Sequence, residues 1–493
     1  MAGKFLKFFS PFVKAMPELK QPQREVSFKE KFIWTVLVLI IYLILSNIPL
    51  YGVDVEQSTD YFYWLRVILA SQRGTLTELG IGPIVTSGLI MQLLLGSRII
   101  KVNMADPYDR AMFSGAQKVL AIFLTIFNSL AYILGGAFGE LYSIGIGGAF
   151  MIFFQLLFAG IIIILLDELL QKGWGLGSGV SLFIAAGVAG QIFWNAFSFV
   201  PTPLPPDGDG LPRGIIIAFF TALFDNNPNN AEQLASIVLR GNYPSLLGIL
   251  TTVIILFVVI WFESTRVEIP LAYRGTRGFK GKYPMKLLYV SNIPVILVNA
   301  LYANFLFFGQ LLAGPDSALR GIFGDFWVDL IGVFDPQESP AGGTQLIPVG
   351  GLIYLLSPPL GINELVADPF RAIFYLVIFI FLCIMLGRVW VEVSGLAPRD
   401  IAGQIIDSQM HVPGFRSSAK IIERILKRYI PTLVILNGII IATLSFTADS
   451  LRALSSGTGL LIAIGIIHQY GETIAKELAA SQYPGMRAML GMD

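Results

Sequence analysis

Apolar residues fall into ten runs of membrane-spanning length, at about 32–51, 80–100, 117–137, 149–170, 178–199, 245–263, 287–309, 369–391, 429–448 and 453–471. A transmembrane helix needs ~20 predominantly apolar residues, so the pattern predicts ten crossings. Two shorter runs, 214–224 and 346–357, lie in long Pro- and Gly-rich connections and read as interfacial or re-entrant pieces. The run at 79–96 has unusual chemistry at its start, where Gly80, Gly82 and Pro83 weaken or break a helix. A broken backbone is tolerated in hydrocarbon only inside protein or beside water. Just before it, Tyr61–Arg73 is apolar but too short to span. A stub, a break and then a helix describe a chain that folds part-way into the membrane and lines a cavity.

Composition agrees with a polytopic membrane protein. The 493 residues are 55% hydrophobic and 14% charged, against about 25% charged in soluble domains. The single cysteine, Cys383, excludes an intrachain disulfide. The basic, amphipathic N-terminus lacks the short apolar core and small-residue cleavage site of a removable signal peptide.

Net charge is only +1, but its placement is uneven. With the N-terminus in the cytoplasm, 27 of the 34 Lys and Arg residues fall in connections on that side. This predicts cytoplasmic N- and C-termini. The chain then divides into a cytoplasmic N-terminal segment 1–31, a first half 32–199 containing helices one to five and the stub, and an outer loop 200–244. A second half 245–471 follows, with cytoplasmic loops 262–286 and 388–428, and then a cytoplasmic tail 472–493. Helix five opens Gly177-Ser178-Gly179 and helix ten opens Gly457-Thr458-Gly459. An odd number of helices per repeat inverts the second copy, so the echo predicts an all-α fold of two inverted five-helix halves around a central pore.

Several chemistries are excluded. The two histidines, His411 and His468, belong to no zinc motif. Gly275–Lys282 has the wrong glycine spacing for a phosphate-binding loop, and Tyr283 stands where Ser or Thr is needed. Acidic residues of the apolar segments, Asp167, Glu168, Glu263 and Asp449, lie near helix ends rather than mid-membrane, which argues against an ion-coupled carrier. No catalytic constellation is visible, so the chain reads as neither an enzyme nor a cofactor protein.

Three stretches carry a family resemblance. Gly80–Leu94 (GIGPIVTSGLIMQLL), Leu166–Ile184 (LDELLQKGWGLGSGVSLFI) and Lys282–Ile296 (KYPMKLLYVSNIPVI) resemble signatures of the SecY family, the pore subunit of the Sec protein translocon. The similarity runs along essentially the whole chain, and the Ile-Val-Thr wording is nearer to archaeal and eukaryotic members. The resemblance implies a channel that passes unfolded polypeptides across the membrane and releases hydrophobic segments sideways into lipid.

It also implies site residues. A waist of six apolar side chains falls on Ile81, Val85, Val180, Ile184, Ile296 and Ile462, all Ile or Val here. Such a ring sheds water and excludes ions. The stub becomes a plug comprising Tyr63, Trp64, Leu65, Arg66, Val67, Ile68, Leu69, Ala70, Ser71, Gln72 and Arg73, with Arg66 and Arg73 directed to outside water. Gly80, Gly82 and Pro83 become its hinge. A lateral gate between helices two–three and seven–eight places polar residues at Thr86, Asn128 and Asn304. Arg274, Arg277, Lys280, Arg416 and Lys420 become ribosome-docking positions that meet rRNA electrostatically. The implied partners are a SecE/γ-type subunit, a β-type or SecG-like subunit, the lipid bilayer, and a ribosome whose nascent chain carries a signal sequence. The implied location is the cell membrane, or the endoplasmic reticulum membrane for a eukaryotic member.

Overall fold

The structure is a computed structural model that describes the chain apart from residues 1–3, 17, 25, 54–58, 61–69, 98, 101, 103–105, 139–140, 203–208, 225–234, 241–242, 274–279, 314–324, 339–343, 360, 409, 412–417 and 483–493. Helices occupy all ten predicted runs. They are α1 (Phe28–Asn47), α2 (Gly82–Gly96), α3 (Pro107–Leu134), α4 (Leu141–Leu169), α5 (Gly179–Phe197), α6 (Leu246–Ser264), α7 (Ile293–Ala313), α8 (Pro369–Val393), α9 (Ala419–Ser450) and α10 (Gly457–Gln482). Local capping explains several starts: Ser27, Asp106, Ser245 and Asp368 each accept a backbone N–H in the first turn of α1, α3, α6 and α8.

Seven of the described helices are long and apolar enough to cross a bilayer. The helices α1, α2 and α10 fall outside those limits for physical reasons. The first turn of α1 carries Lys29, Glu30 and Lys31, and α2 has only 15 residues. In α10 the apolar stretch ends at Ile467 and is followed by His468, Gln469 and Glu472.

The fold also contains two small sheets that the all-helical reading omits. Strands β1 (Thr59–Asp60), β2 (Arg266–Tyr273), β3 (Lys280–Lys286), β4 (Val333–Glu338), β5 (Thr344–Gly350) and β6 (Met410–His411) pair in the orders β1-β5-β4 and β3-β2-β6. The run 346–357 is therefore not one continuous element. It splits into β5 and the helix Gly351–Leu356 at Gly351, whose φ of +80° favours glycine. The run 214–224 is a ten-residue helix, Ile215–Phe224, that buries Ile215, Ala218 and Ala222 at helical spacing.

A buried ion pair fastens the long connection between α5 and α6. The Arg240 guanidinium donates to both carboxylate oxygens of Asp209 at 2.7 and 2.8 Å, and also reaches the Pro212 and Arg213 carbonyls. Burial works to raise the Asp209 carboxyl, but the hydrogen bonds from Arg240 and Thr202 outweigh it and hold the group below its ordinary range. Asp209→Ala strands the buried guanidinium and is expected to cost about 3 kcal/mol, read as a lower thermal midpoint. Because the folded value is depressed, the contribution is complete above about pH 4 and disappears as the pH falls through that lowered value. The gap between variant and parent therefore narrows in acid.

Candidate functional site

Four helices begin inside the protein, and their first turns meet. Before α2 the chain makes successive tight turns, with Gly80 N–H donating to Thr77, Gly82 to Leu79 and Ile84 to Ile81 carbonyls at 2.8, 3.2 and 3.0 Å. The sharpest feature is Gly80, at φ +52°. Gly82 and Pro83 form the first turn of α2, where proline's missing N–H costs nothing. Helix α5 follows a π turn at Leu170–Trp174, α7 follows a turn containing Ser291, and α10 follows the turn at 451–456.

The six predicted ring positions sit in or beside these first turns, and all six share one apolar cluster. Ile81, Ile184 and Ile462 have no exposed surface, while Val85, Val180 and Ile296 are half-buried and pack against them. The cluster also contains Ile466, one helical turn beyond Ile462. The i, i+4 spacing already used for Ile81/Val85 and Val180/Ile184 would have found it.

The described end of the plug segment touches the same cluster. Ala70 packs within it, and the Tyr42 hydroxyl of α1 donates to the Ala70 carbonyl. Tyr42 also stacks on Phe183 of α5 at 4.4 Å. Ser71 is buried and donates to the Glu78 carbonyl, whereas Gln72 is exposed. Arg73 is half-buried. Tyr63, Trp64, Leu65, Arg66, Val67, Ile68 and Leu69 lie outside the described residues.

Two of the three predicted seam residues meet. The Asn304 amide of α7 donates to the Thr86 hydroxyl of α2 at 3.2 Å and to the Ala300 carbonyl at 2.6 Å. Asn128 is half-buried, and among the described residues it joins neither. The α3–α7 contact is aromatic instead: Phe127 lies 6.2 Å from Phe308, and Tyr132 stacks on Phe307 at 5.6 Å. At the other end of α2, a Cβ on Gly96 would lie 2.7 Å from Val389 of α8.

The two basic loops are tied together. Ile269 and Leu271 of β2 and Met285 of β3 pack on Ile401, Ile405, Ile422 and Leu426 of the helix Pro398–Asp407 and the start of α9. Strand β6 pairs Ala272 with His411 and Tyr273 with Met410, so the two loops join in one sheet. At its base Arg266 and Lys286 both reach Glu472 of α10, at 3.2 and 3.3 Å, and Lys282 pairs with Glu268 across the hairpin. Lys280 begins β3 and Lys420 is exposed in the first turn of α9. Arg274, Arg277 and Arg416 lie outside the described residues.

Known proteins resemble the chain along nearly its whole length. Residues 75–471 match the SecY family profile, and residues 40–74 match the profile of the plug domain of Sec61p. The protein transport protein Sec61 subunit alpha of Dictyostelium discoideum is 43% identical over 479 residues, covering 97% of this chain and 98% of that one. A solved protein conducting channel superposes with a TM-score of 0.77 at 37% identity, over 96% of this chain and 97% of that one. Sec61 in the canine ribosome-channel complex from the endoplasmic reticulum gives 0.74 at 37% identity, with the same coverage.

A further hydrogen bond links the approach to α7 with α10. Asn292, just before α7, donates to the Leu461 carbonyl of α10 at 3.0 Å, and a Cβ on Gly465 would sit 1.9 Å from its amide nitrogen. Gly465→Ala is expected to break this bond and destabilise the protein by about 1–3 kcal/mol, visible as a lower thermal midpoint in detergent.

Proposed function

The chain belongs to the SecY family and is the pore-forming subunit of a protein-conducting channel, and we propose that its ring of six aliphatic side chains is the channel's constriction. The observation that carries this reading is the convergence of Ile81, Val85, Val180, Ile184, Ile296 and Ile462, from four separate helices, into one cluster. Branched apolar side chains hold no water, so the closed ring is a barrier to ions. Their packing is non-directional and yields around a passing polypeptide without leaving broken hydrogen bonds.

The segment Tyr63–Arg73 acts as a plug under the ring, a role supported by the packing of Ala70 in the same cluster. Gly80 is the joint between plug and pore helix, and Gly82 and Pro83 begin the helix that moves against it. The seam between α2 and α7, bridged by Asn304 and Thr86, is the lateral gate through which apolar segments enter lipid.

The chain is a membrane-embedded multi-span protein, with both termini on the cytoplasmic face according to its charge asymmetry. Arg274, Arg277, Lys280, Arg416 and Lys420 form a docking surface for a ribosome, a reading supported by the strand pairing that joins their two basic loops. A SecE/γ-type subunit and a β-type or SecG-like subunit complete the complex. The channel itself is passive and is driven by whatever is bound at that face.

A photo-crosslinker at Ile81, Val180 or Ile462 in the reconstituted complex is expected to capture a stalled nascent chain. Capture at none of the three overturns the constriction. Deleting Tyr63–Arg73 is expected to raise the resting ion conductance, and an unchanged conductance removes the plug role.

A further inference from the structure

Two buried aspartates occupy equivalent places in the two halves. Asp167 lies two residues before the end of α4, the fourth helix of the first half, and Asp449 lies one residue before the end of α9, the fourth of the second. They are 6% and 9% exposed, and among the described residues neither forms an ion pair. A buried carboxylate without a cation requires hydrogen bonds to compensate its desolvation.

Both find them at the start of the next helix. Asp167 Oδ1 accepts the Val180 backbone N–H at 3.0 Å and the Ser178 hydroxyl at 3.3 Å, while its Oδ2 accepts the Gln171 amide at 2.8 Å. Asp449 Oδ1 accepts the Gly457 N–H at 2.6 Å. The first N–H groups of a helix lack internal partners and form the positive end of its dipole, so a buried anion there is held strongly. The glycines permit the approach: a Cβ on Gly179 would lie 2.7 Å from the Asp167 Cα, and one on Gly457 2.2 Å from the Ser445 carbonyl oxygen.

The correspondence extends to the ring. Asp167 precedes Val180 by thirteen residues, and Asp449 precedes Ile462 by thirteen. Ile184 and Ile466 follow one turn later, and all four aliphatics belong to the one cluster. We infer that Asp167 and Asp449 are a pair of positioning residues that fix α5 and α10 so that their aliphatic side chains close the constriction. With the orientation set by the basic loops, α4 ends on the cytoplasmic side and α9 on the outer side. The ring is thus braced from opposite faces of the membrane. This inference rests on the channel reading above.

The test is the ion conductance of the reconstituted complex, measured beside its thermal midpoint and its capture of a nascent chain. Asp167→Ala and Asp449→Ala are each expected to raise resting conductance about tenfold, the scale of one lost hydrogen bond to a charged group, while the nascent chain is still captured. Asp167→Asn and Asp449→Asn keep an accepting oxygen at the same reach and are expected to restore most of the seal. Asp167→Glu and Asp449→Glu keep the charge but lengthen the arm, and are expected to leak more than the Asn variants. A purely stabilising cap would lower the midpoint without changing the conductance, and that result overturns the inference. So does equal leakage from the Asn and Ala variants. If the Ala variants do not accumulate, the Asn and Glu variants decide: Glu leakier than Asn supports the pair, and the reverse or equality overturns it. A parent complex that neither captures a nascent chain nor leaks after plug deletion fails the channel reading instead, before any aspartate variant is measured.

Discussion

The hydrocarbon core of a bilayer offers no partner to a free backbone N–H or carbonyl, and this protein starts four helices within its own interior. Each start is therefore closed by protein groups. Tight turns absorb the N–H groups ahead of α2, carboxylates meet those of α5 and α10, and the side chain of Asn292 ties the approach to α7 onto α10. Satisfying those groups forces the four first turns into proximity. What remains at the meeting point has no hydrogen-bonding demand and is filled by isoleucine and valine. The apolar waist follows from where the polar groups had to be satisfied.

The scale of the interactions separates the parts that hold from the parts that move. An interhelical hydrogen bond such as Asn304 to Thr86 is worth about 0.6–2 kcal/mol. Ten leucine-like residues partitioning into lipid gain roughly 3–6 kcal/mol. An apolar segment entering the seam therefore outweighs the polar bridge. The aromatic contacts of Phe127 with Phe308 and Tyr132 with Phe307 can be exchanged for contacts with such a segment at little net cost. The ion pair of Arg240 with Asp209 and the clustered charges on Glu472 lie outside the seam, where rigidity is compatible with passage.

Much of this was legible in the sequence because lipid imposes a long apolar run on any helix that crosses it. The ten runs correspond to ten helices, and the ring positions fall on the family signatures. Ends were less legible, since α3 begins at Pro107, α9 at Ala419 and α10 reaches Gln482, each well beyond its apolar window. Hydropathy registers the part of a helix in lipid, not its continuation into water. The β2–β3–β6 sheet escaped notice because lysine and proline interrupt its strands and its third member comes from a distant loop. Asp167 and Asp449 looked like ordinary charges at helix ends, since their acceptor role depends on a chain segment that only folding brings alongside. Asn128 looked equivalent to Thr86 and Asn304 by polarity alone, yet its helix meets α7 through aromatic rings.

The sheet that joins the two basic loops ties them to one half of the chain. Both loops and the helix Pro398–Asp407 belong to the second half of the chain, and the Glu472 anchor lies just beyond it on the continuation of α10. On the docking reading proposed above, a large body resting on those loops grips one jaw of the channel and leaves the first half as the free one, so the handle and the mouth are on different pieces.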